Sequence, residues 1–261
     1  MTRRRWIAEQ WDETTATITG AQAEHMARVL RGLPGMQADV VAGGRVFHAQ
    51  ALSVLPDEVR FHLITEIDAD PALPVTLLMS IFKFDRMEWA LEKATELGVK
   101  AIVPVVAQRT EKHLAQAAER RVERWRRVVN EAAQQSRRSD VPLIHSPVAL
   151  AAHIKQQDSH ATRLVLAEQE QITTLREALI AALPAALPNP AENGTPVANA
   201  PPANNPSPTF EIAIGPEGGW TPDEAALFDV NGWTAVSLGP RILRAETAAL
   251  AALAVVASFL E

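Results

Sequence analysis

Two stretches decide how this chain folds: Phe210-Glu-Ile-Ala-Ile-Gly-Pro-Glu-Gly-Gly-Trp220 and Ser237-Leu-Gly-Pro-Arg-Ile-Leu-Arg-Ala-Glu-Thr-Ala248. Each contains a glycine loop that follows a short apolar run typical of a buried strand and leads into a predicted helix. A capping box, Thr221-Pro-Asp-Glu224, starts the first helix, and the second begins at about Arg244. Ligands of open α/β sheets bind at the carboxyl ends of strands, so both loops are candidate binding sites.

The first loop carries three glycines within five residues, Gly215, Gly218 and Gly219. Glycine accepts positive φ and allows a ligand to approach the backbone closely. The loop matches neither a P-loop nor the dinucleotide-binding pattern of glycines. The glycine spacing alone therefore names no ligand, and ordinary turns between strand and helix remain the alternative.

Composition narrows the class of protein. The 261 residues suffice for one large or two modest domains, and 47% of them are hydrophobic, enough for a core. No apolar run reaches the length of a membrane-spanning helix, and the basic N-terminus has no apolar segment after it that would indicate a signal peptide. Cysteine is absent and the seven histidines show no ligand spacing. We expect a cytoplasmic protein without a metal site.

The order of predicted elements indicates two domains. Residues 1–72 contain several short strands and one helix, which suggests a small β-barrel. From residue 73 onward, a continuous apolar strand at 75–81 is followed by a helix that Gly98 ends and by another strand at 101–106. This alternation predicts an α/β domain with a parallel sheet over 73–261.

One segment is rich in Pro, Asn and Ala and nearly uncharged, at 184–208. Such a composition buries little apolar surface, so we interpret the segment as a surface loop or disordered insertion within the sheet domain. At the other extreme, the final predicted helix is apolar on nearly every side, which is typical of a buried or interfacial helix.

Charge is distributed unevenly. The chain carries a net charge of −6, yet residues 109–138 hold nine Lys/Arg and four acids, a local charge of +5 that leaves −11 elsewhere. Helical spacing places Arg120, Arg124 and Arg127 on one face and Trp125 in the apolar stripe on another, which favours core packing of Trp125 over base stacking. The segment predicts a surface that docks RNA, with a solvated helix of partly paired charges as the alternative.

Several motifs in fixed order resemble the RsmE family, whose members are SPOUT-superfamily methyltransferases that modify N3 of a uridine in 16S ribosomal RNA. The resemblance covers nearly the whole chain except about 184–208. The matching segments are His25–Arg31, Lys83–Val99, Ile102–Pro104, Asn130–Ser136, Val141–Pro142, Ile214–Gly219 and Leu238–Ala248.

The resemblance implies a fold and a partner as well as an activity. It implies a PUA-like RNA-binding barrel over 1–72, a trefoil-knotted SPOUT domain over 73–261, and a homodimer with the cofactor pocket near the subunit interface. The implied cofactor is S-adenosylmethionine, and the implied partner is 16S rRNA in the decoding region of the small ribosomal subunit. The cofactor residues implied are Ala167, Glu168, Gly215, Glu217, Gly218, Gly219, Leu238, Gly239, Ile242 and Leu243.

Arg244 and Glu246 are the candidate catalytic pair. Uridine N3 must lose a proton before it can attack a methyl group, so a carboxylate could act as base and a cation could stabilise the developing anion. The alternative for Glu246 is a helix cap paired with Arg244 or Arg241. The family usually has Thr where this chain has Ala245.

The predicted RNA contacts combine the basic segment with the N-terminal motifs. Arg5-Trp6 resembles an arginine–aromatic pair that faces RNA in the family, although it is equally explained as a basic end of the chain. Two other functions remain open: methylation of a different base or a ribose 2′-OH, and a non-catalytic rRNA-binding assembly factor. The predicted RNA-binding residues are Arg5, Arg28, Arg31, Arg109, Arg120, Arg124, Arg127, Arg137 and Arg138.

Overall fold

The structure, a computed structural model, describes residues 5–155, 161–170, 172–182 and 208–260. The insertion predicted at 184–208 lies outside the described residues except for its last position. The chain divides into two compact units, and the helices over 84–96 and 122–135 contribute residues to both. The first unit comprises 1–72, 91–98 and 124–142, and the second comprises 73–90, 99–123 and 143–261.

The first unit contains a curled six-stranded sheet in the spatial order β1-β4-β5-β6-β3-β2. Neighbouring strands are antiparallel except β1 and β4, which are parallel. This arrangement fits the small barrel domain that the sequence predicts. The elements are β1 (Arg5–Ile7), β2 (Gln10–Trp11), β3 (Thr15–Thr19), α1 (Gly20–Glu24), a π-helical turn (His25–Val29), β4 (Gln37–Ala42), β5 (Arg45–Val54) and β6 (Glu58–Ile67).

Buried and more exposed residues alternate along these strands, and the buried ones form the core of the first unit. Ile18, Val40 and Phe61 are fully buried, and Trp6 and Met26 join the same cluster. The hairpin between β4 and β5 turns at residues 43–44, where both glycines have positive φ, as expected for a two-residue turn of this kind.

The second unit is built on a seven-stranded sheet in which every strand pair is parallel. The order is β10-β8-β7-β12-β11-β13, with β9 also pairing with β8, so the predicted parallel α/β fold is confirmed. Its elements, with those shared between the units, are β7 (Leu73–Ser80), α2 (Phe84–Glu96), β8 (Val99–Val106), α3 (Lys112–Ala118), a 3₁₀ turn (Glu119–Arg121), α4 (Val122–Gln135), β9 (Leu143–Ile144), β10 (Val148–Ala149), α5 (Leu150–Lys155), β11 (Ala161–Leu166), α6 (Leu175–Ala182), β12 (Thr209–Ile214), α7 (Pro222–Val230), β13 (Thr234–Val236) and α8 (Ala245–Leu260).

The central strands β7 and β12 are buried on both faces, which explains their continuous apolar sequences. Leu78 and Ala213 pack with Phe228 of α7 and Ile154 of α5. Helix α8 contacts β7, β12 and α6. Its buried positions are Ala245, Glu246, Ala249, Ala252, Leu253 and Val256.

Strand register brings five loops to one edge of this sheet. Met79 pairs with Ile214, Ser80 with Val105, and Leu166 with Val236. Because parallel strands all end at the same edge, the segments after β7, β8, β11, β12 and β13 lie together there. Within the described part of the chain, no helix is long and apolar enough to cross a membrane.

Candidate active site

Two hydrogen-bonding side chains hold the glycine loop after β12, one that follows β8 and one at the end of the loop itself. Arg109, which follows β8, donates from Nη1 to the carbonyl oxygens of Gly218 at 2.6 Å and Trp220 at 3.3 Å. Trp220 donates from Nε1 to the carbonyl oxygen of Leu166, the last residue of β11, at 2.9 Å. A Cβ on Gly215 would stand 3.3 Å from the Trp220 indole, so the ring is pressed against that glycine. The loop is therefore fixed on both sides.

The capping box predicted at the start of α7 is confirmed. Thr221 Oγ1 accepts from the Glu224 amide, and the Glu224 carboxylate accepts from the Thr221 amide at 2.9 Å. The other oxygen of this buried carboxylate accepts from the Gln108 amide at 2.8 Å. Glu224 thus ties the end of the glycine loop to the end of β8, a second function that the local sequence does not indicate.

The second loop, residues 237–244, offers backbone donors and apolar side chains. Gly239 has φ +110°, which favours glycine, and Ile242 is 81% exposed although it is aliphatic. Within the described residues, the amides of Arg241, Ile242 and Leu243 donate to no protein acceptor. Unpaired amides beside an exposed aliphatic side chain are what a planar, hydrogen-bonding ligand requires.

The remaining cofactor candidates differ in availability. Ala167 uses its amide to donate to the Val236 carbonyl oxygen at 3.1 Å, whereas Glu168 is exposed. Leu238 and Leu243 are half-buried. Among the predicted cofactor residues, then, those of the two glycine loops have backbone that a ligand can reach. Ala167, directly after β11, instead uses its amide to bond to β13.

Glu246 lies in the first turn of α8 with its side chain only 10% exposed. Its Oε1 stands 3.9 Å from Nε of Arg86, and its buried Oε2 has no hydrogen-bond partner among the described residues. Arg86, in the first turn of α2, also donates from Nη1 to Oε1 of Glu217 at 2.7 Å. The edge of the sheet therefore gathers two carboxylates around one guanidinium.

Arg244 does not pair with Glu246, although the sequence makes them neighbours. Its side chain is exposed and, over the ranges that the structure describes, it lies within ion-pair distance of no acid. Nor does Glu246 hydrogen-bond to a backbone amide of α8, so the alternative of a helix cap has no hydrogen bond to support it. The carboxylate is buried, and Arg86 is its ion-pair partner among the residues that the structure describes.

Similarity to known proteins agrees with this geometry. A family model described as an RNA methyltransferase domain matches residues 69–257. Ribosomal RNA small subunit methyltransferase E of Synechocystis is 32% identical over 254 residues, covering 97% of this chain and 76% of the relative. The chain belongs to the RsmE family. The Bacillus subtilis protein of the same name is 30% identical, and the match covers 93% of this chain and 89% of the Bacillus subtilis chain.

A solved RsmE structure shares the fold over its whole length. It is the Neisseria gonorrhoeae Ribosomal RNA small subunit methyltransferase E bound to S-adenosylmethionine, at 27% identity and a TM-score of 0.79, covering 98% of both chains. In the present chain, no group of three or more His, Asp or Glu side chains among the described residues could hold a metal ion.

The arginines that the sequence predicts to bind RNA occupy several environments. On the helical run that leads through α4, Arg120, Arg124 and Arg127 are exposed. Arg28 pairs with Glu24 at 3.0 Å on the surface, and Arg31 has a left-handed backbone with φ +51°. These five remain candidates for phosphate contacts.

Two of the predicted RNA-binding residues bond to each other within the first unit. Arg5 donates from Nη1 to the carbonyl oxygen of Arg137, whose backbone is left-handed with φ +60°. Arg109, described above, has its guanidinium on the glycine loop in the second unit. For Arg5 and Arg109 the hydrogen bonds occupy part of the donor set that a phosphate would need.

Arg138 is the exception among the predicted RNA contacts. Its side chain is 7% exposed, and it makes two hydrogen bonds to the Asp140 carboxylate, from Nε at 3.1 Å and from Nη2 at 2.6 Å. Its Nη1 donates to the carbonyl oxygen of Thr95 near the end of α2 at 2.9 Å. A guanidinium with these three bonds and so little exposure is not placed to bind phosphate, and we correct that expectation.

Arg86 is the site residue that sequence reasoning missed. It stands inside the motif Lys83–Val99 that carries the RsmE resemblance, but the helical pattern shows it only as a polar position of α2. The signal available was its place shortly after an apolar strand region and at the start of an amphipathic helix, at the edge where ligands bind.

Proposed function

We propose that this chain is an S-adenosylmethionine-dependent methyltransferase that modifies N3 of a uridine in 16S rRNA, the uracil at position 1498 in the family's activity. The decoding region of the small ribosomal subunit is its target. Family membership and the relatives' names, Ribosomal RNA small subunit methyltransferase E, support this substrate. The bound cofactor in the Neisseria gonorrhoeae structure supports S-adenosylmethionine.

One observation carries the proposal: the buried Oε2 of Glu246, which has no partner among the described residues. A buried carboxylate oxygen without a donor is costly, so a site that keeps one is matched to a donor that arrives with a ligand. The N3–H of uracil is such a donor. Glu246 would accept this proton, and N3 would become a nucleophile.

The residues present fit the cofactor. The amides of residues 241–243 and the exposed Ile242 suit an adenine, and the loop at 215–219 offers bare backbone. When bound, S-adenosylmethionine supplies a methyl group made electrophilic by the sulfonium. The cofactor residues proposed are Gly215, Glu217, Gly218, Gly219, Leu238, Gly239, Ile242 and Leu243, with Ala167 and Glu168 at the supporting strand end.

Arg244 has a separate role in the proposal. Removing the N3 proton leaves negative charge on the uracil oxygens O2 and O4, and a nearby cation stabilises it. Arg244 immediately precedes α8, two residues from Glu246, and its guanidinium is exposed with no acid beside it in the described chain. A cation that is not already neutralised is available to a substrate.

The finer points of architecture are part of the same proposal. We assign a PUA-like barrel to 1–72 and a trefoil-knotted SPOUT domain to 73–261, a homodimer as the assembly, and the cytoplasm as the compartment. The curled sheet of the first unit and the all-parallel sheet of the second support the two domain types. Family membership supports the knot and the dimer.

A methyl-transfer assay with Glu246→Gln tests the function. Wild-type protein, labelled S-adenosylmethionine and small subunits from a strain without the activity should give 3-methyluridine after nucleoside digestion and mass spectrometry. Glu246→Gln should lower kcat by roughly 10²- to 10⁴-fold because the amide cannot accept the N3 proton. Cofactor affinity, measured by calorimetry, should change little.

Asp223→Asn is the matched control, because it removes an exposed acid from the first turn of α7 without touching the site. Its turnover should equal the wild-type value. Full turnover by Glu246→Gln would remove Glu246 as the base. A methylated nucleoside other than 3-methyluridine would show that the enzyme has a different target. Absence of both methyl transfer and cofactor binding would favour a non-catalytic rRNA-binding factor.

A further inference from the structure

Arg86 stands between the two acids of the site and uses different nitrogens for each. Nη1 donates to Oε1 of Glu217 at 2.7 Å, and Nε lies 3.9 Å from Oε1 of Glu246. The three residues come from three elements: the first turn of α2, the first glycine loop, and the first turn of α8. The guanidinium joins the cofactor loop to the proposed base.

Charge and burial make this arrangement more than a surface ion pair. The Glu246 side chain is 10% exposed and that of Arg86 33%, so the carboxylate is largely removed from water. A buried carboxylate needs a compensating charge, and Arg86 is the cation that lies within 4 Å of it among the described residues. Without Arg86, nothing in the described chain would orient or compensate Glu246.

We propose that Arg86 is a positioning residue that couples the cofactor loop to the base, a role that rests on the proposed function of Glu246. The guanidinium attracts Oε1 of Glu246, which leaves Oε2 directed away from it and available to the uracil N3–H. Through Glu217 the same guanidinium is anchored to the glycine loop. The conformation of the glycine loop therefore determines the position of Glu246, the proposed general base.

The planar fork of arginine suits this role better than lysine. Its N–H groups point in fixed, separate directions, so one guanidinium can interact with both carboxylates at the same time. A lysine in the same place would keep the charge but not the fixed geometry. Arg86→Lys should therefore recover part of the activity that an uncharged side chain loses.

The test measures kcat and KM for the ribosomal subunit separately. Arg86→Met should lower kcat by roughly 10- to 100-fold, as expected when a reacting group is displaced, with a small effect on KM for the ribosomal subunit. Glu217→Gln, which loosens the anchor but leaves the guanidinium beside Glu246, should lower kcat less than Arg86→Met. Arg176→Met removes an exposed arginine from the first turn of α6 and should leave kcat unchanged. Circular dichroism and thermal melting confirm that each variant is folded.

The decisive comparison is the double variant Arg86→Met/Glu246→Gln. If Arg86 acts through Glu246, the double variant turns over no more slowly than Glu246→Gln alone. If Arg86→Met instead lowers kcat by a structural effect that is independent of Glu246, its loss adds to the loss caused by Glu246→Gln. Additive losses, or a folded Arg86→Met with wild-type kcat, would overturn the inference. Wild-type turnover by Glu246→Gln would instead remove the proposed base, so the two failures are distinguishable.

Discussion

The side chain of Arg109 lies flat against Gly218: Nη1 is 2.6 Å from the Gly218 carbonyl oxygen, and a Cβ added to Gly218 would stand 3.3 Å from the arginine Cδ. A side chain at residue 218 would therefore press on the arginine, and the arginine hydrogen-bonds to the carbonyl oxygen of that residue. This packing gives Arg109 a part in shaping the glycine loop, in addition to the phosphate binding that its charge suggests.

Replacing Arg109 by Met should weaken cofactor binding about tenfold, because a charged hydrogen bond to the loop carbonyls contributes about 1.5 kcal/mol. Calorimetry with S-adenosylhomocysteine measures the effect directly. Arg45→Met, which breaks an exposed ion pair with Glu66 in the first unit, is the control and should bind normally. Normal cofactor affinity together with a shallower salt dependence of RNA binding would place Arg109 on the RNA surface instead.

Removing Arg120, Arg124 and Arg127 together should reduce the dependence of RNA affinity on salt. Each arginine that neutralises a phosphate adds about 0.7 to 0.9 to the steepness of log K against log salt, so removing three should make the plot shallower by about 2 to 3. Binding of a 16S rRNA fragment at several salt concentrations measures the slope. An unchanged slope would mean that these arginines form a solvated helix face with paired charges.

Arg138→Ala should destabilise the fold rather than weaken RNA binding. The substitution leaves Asp140 and the Thr95 carbonyl oxygen without their donor, at a cost of about 2–3 kcal/mol, since Asp140 keeps some solvent. Urea unfolding at constant m-value measures the change. Arg127→Ala, an exposed position of α4, should shift stability by less than about 0.5 kcal/mol. Equal stability of the two variants would contradict the structural role.

Features that depend on neighbours in sequence were predictable. The capping box at Thr221 and Glu224 forms because its two partners are three residues apart, and the turn at residues 43–44 forms because two glycines permit it. The interpretation of Trp125 as a core residue is confirmed, since its side chain is fully buried. Periodicity likewise predicted the strands at β7 and β12 closely.

Features that depend on distant partners were not predictable from periodicity. Arg86 meets Glu217 across 131 positions of sequence, and nothing in the helical pattern of α2 distinguishes it from any exposed polar residue. Arg138 looks like a phosphate ligand by charge, yet tertiary packing buries it on Asp140 and Thr95. The placing of β7 between β8 and β12 is equally non-local. The family resemblance implies the chemistry expected at this edge of the sheet, and the structure shows which side chains meet there.

The hydrogen bond from Trp220 to the Leu166 carbonyl oxygen has an optical consequence. An indole whose N–H is bonded to backbone and whose ring rests on Gly215 emits according to the polarity and rigidity of its surroundings. Any ligand that reshapes the 215–220 loop changes those surroundings without any label being attached. The difference in emission between the natural protein and Trp220→Phe would isolate this indole from the other five tryptophans of the chain. The loop therefore carries its own fluorophore at the point where the chemistry is proposed to occur.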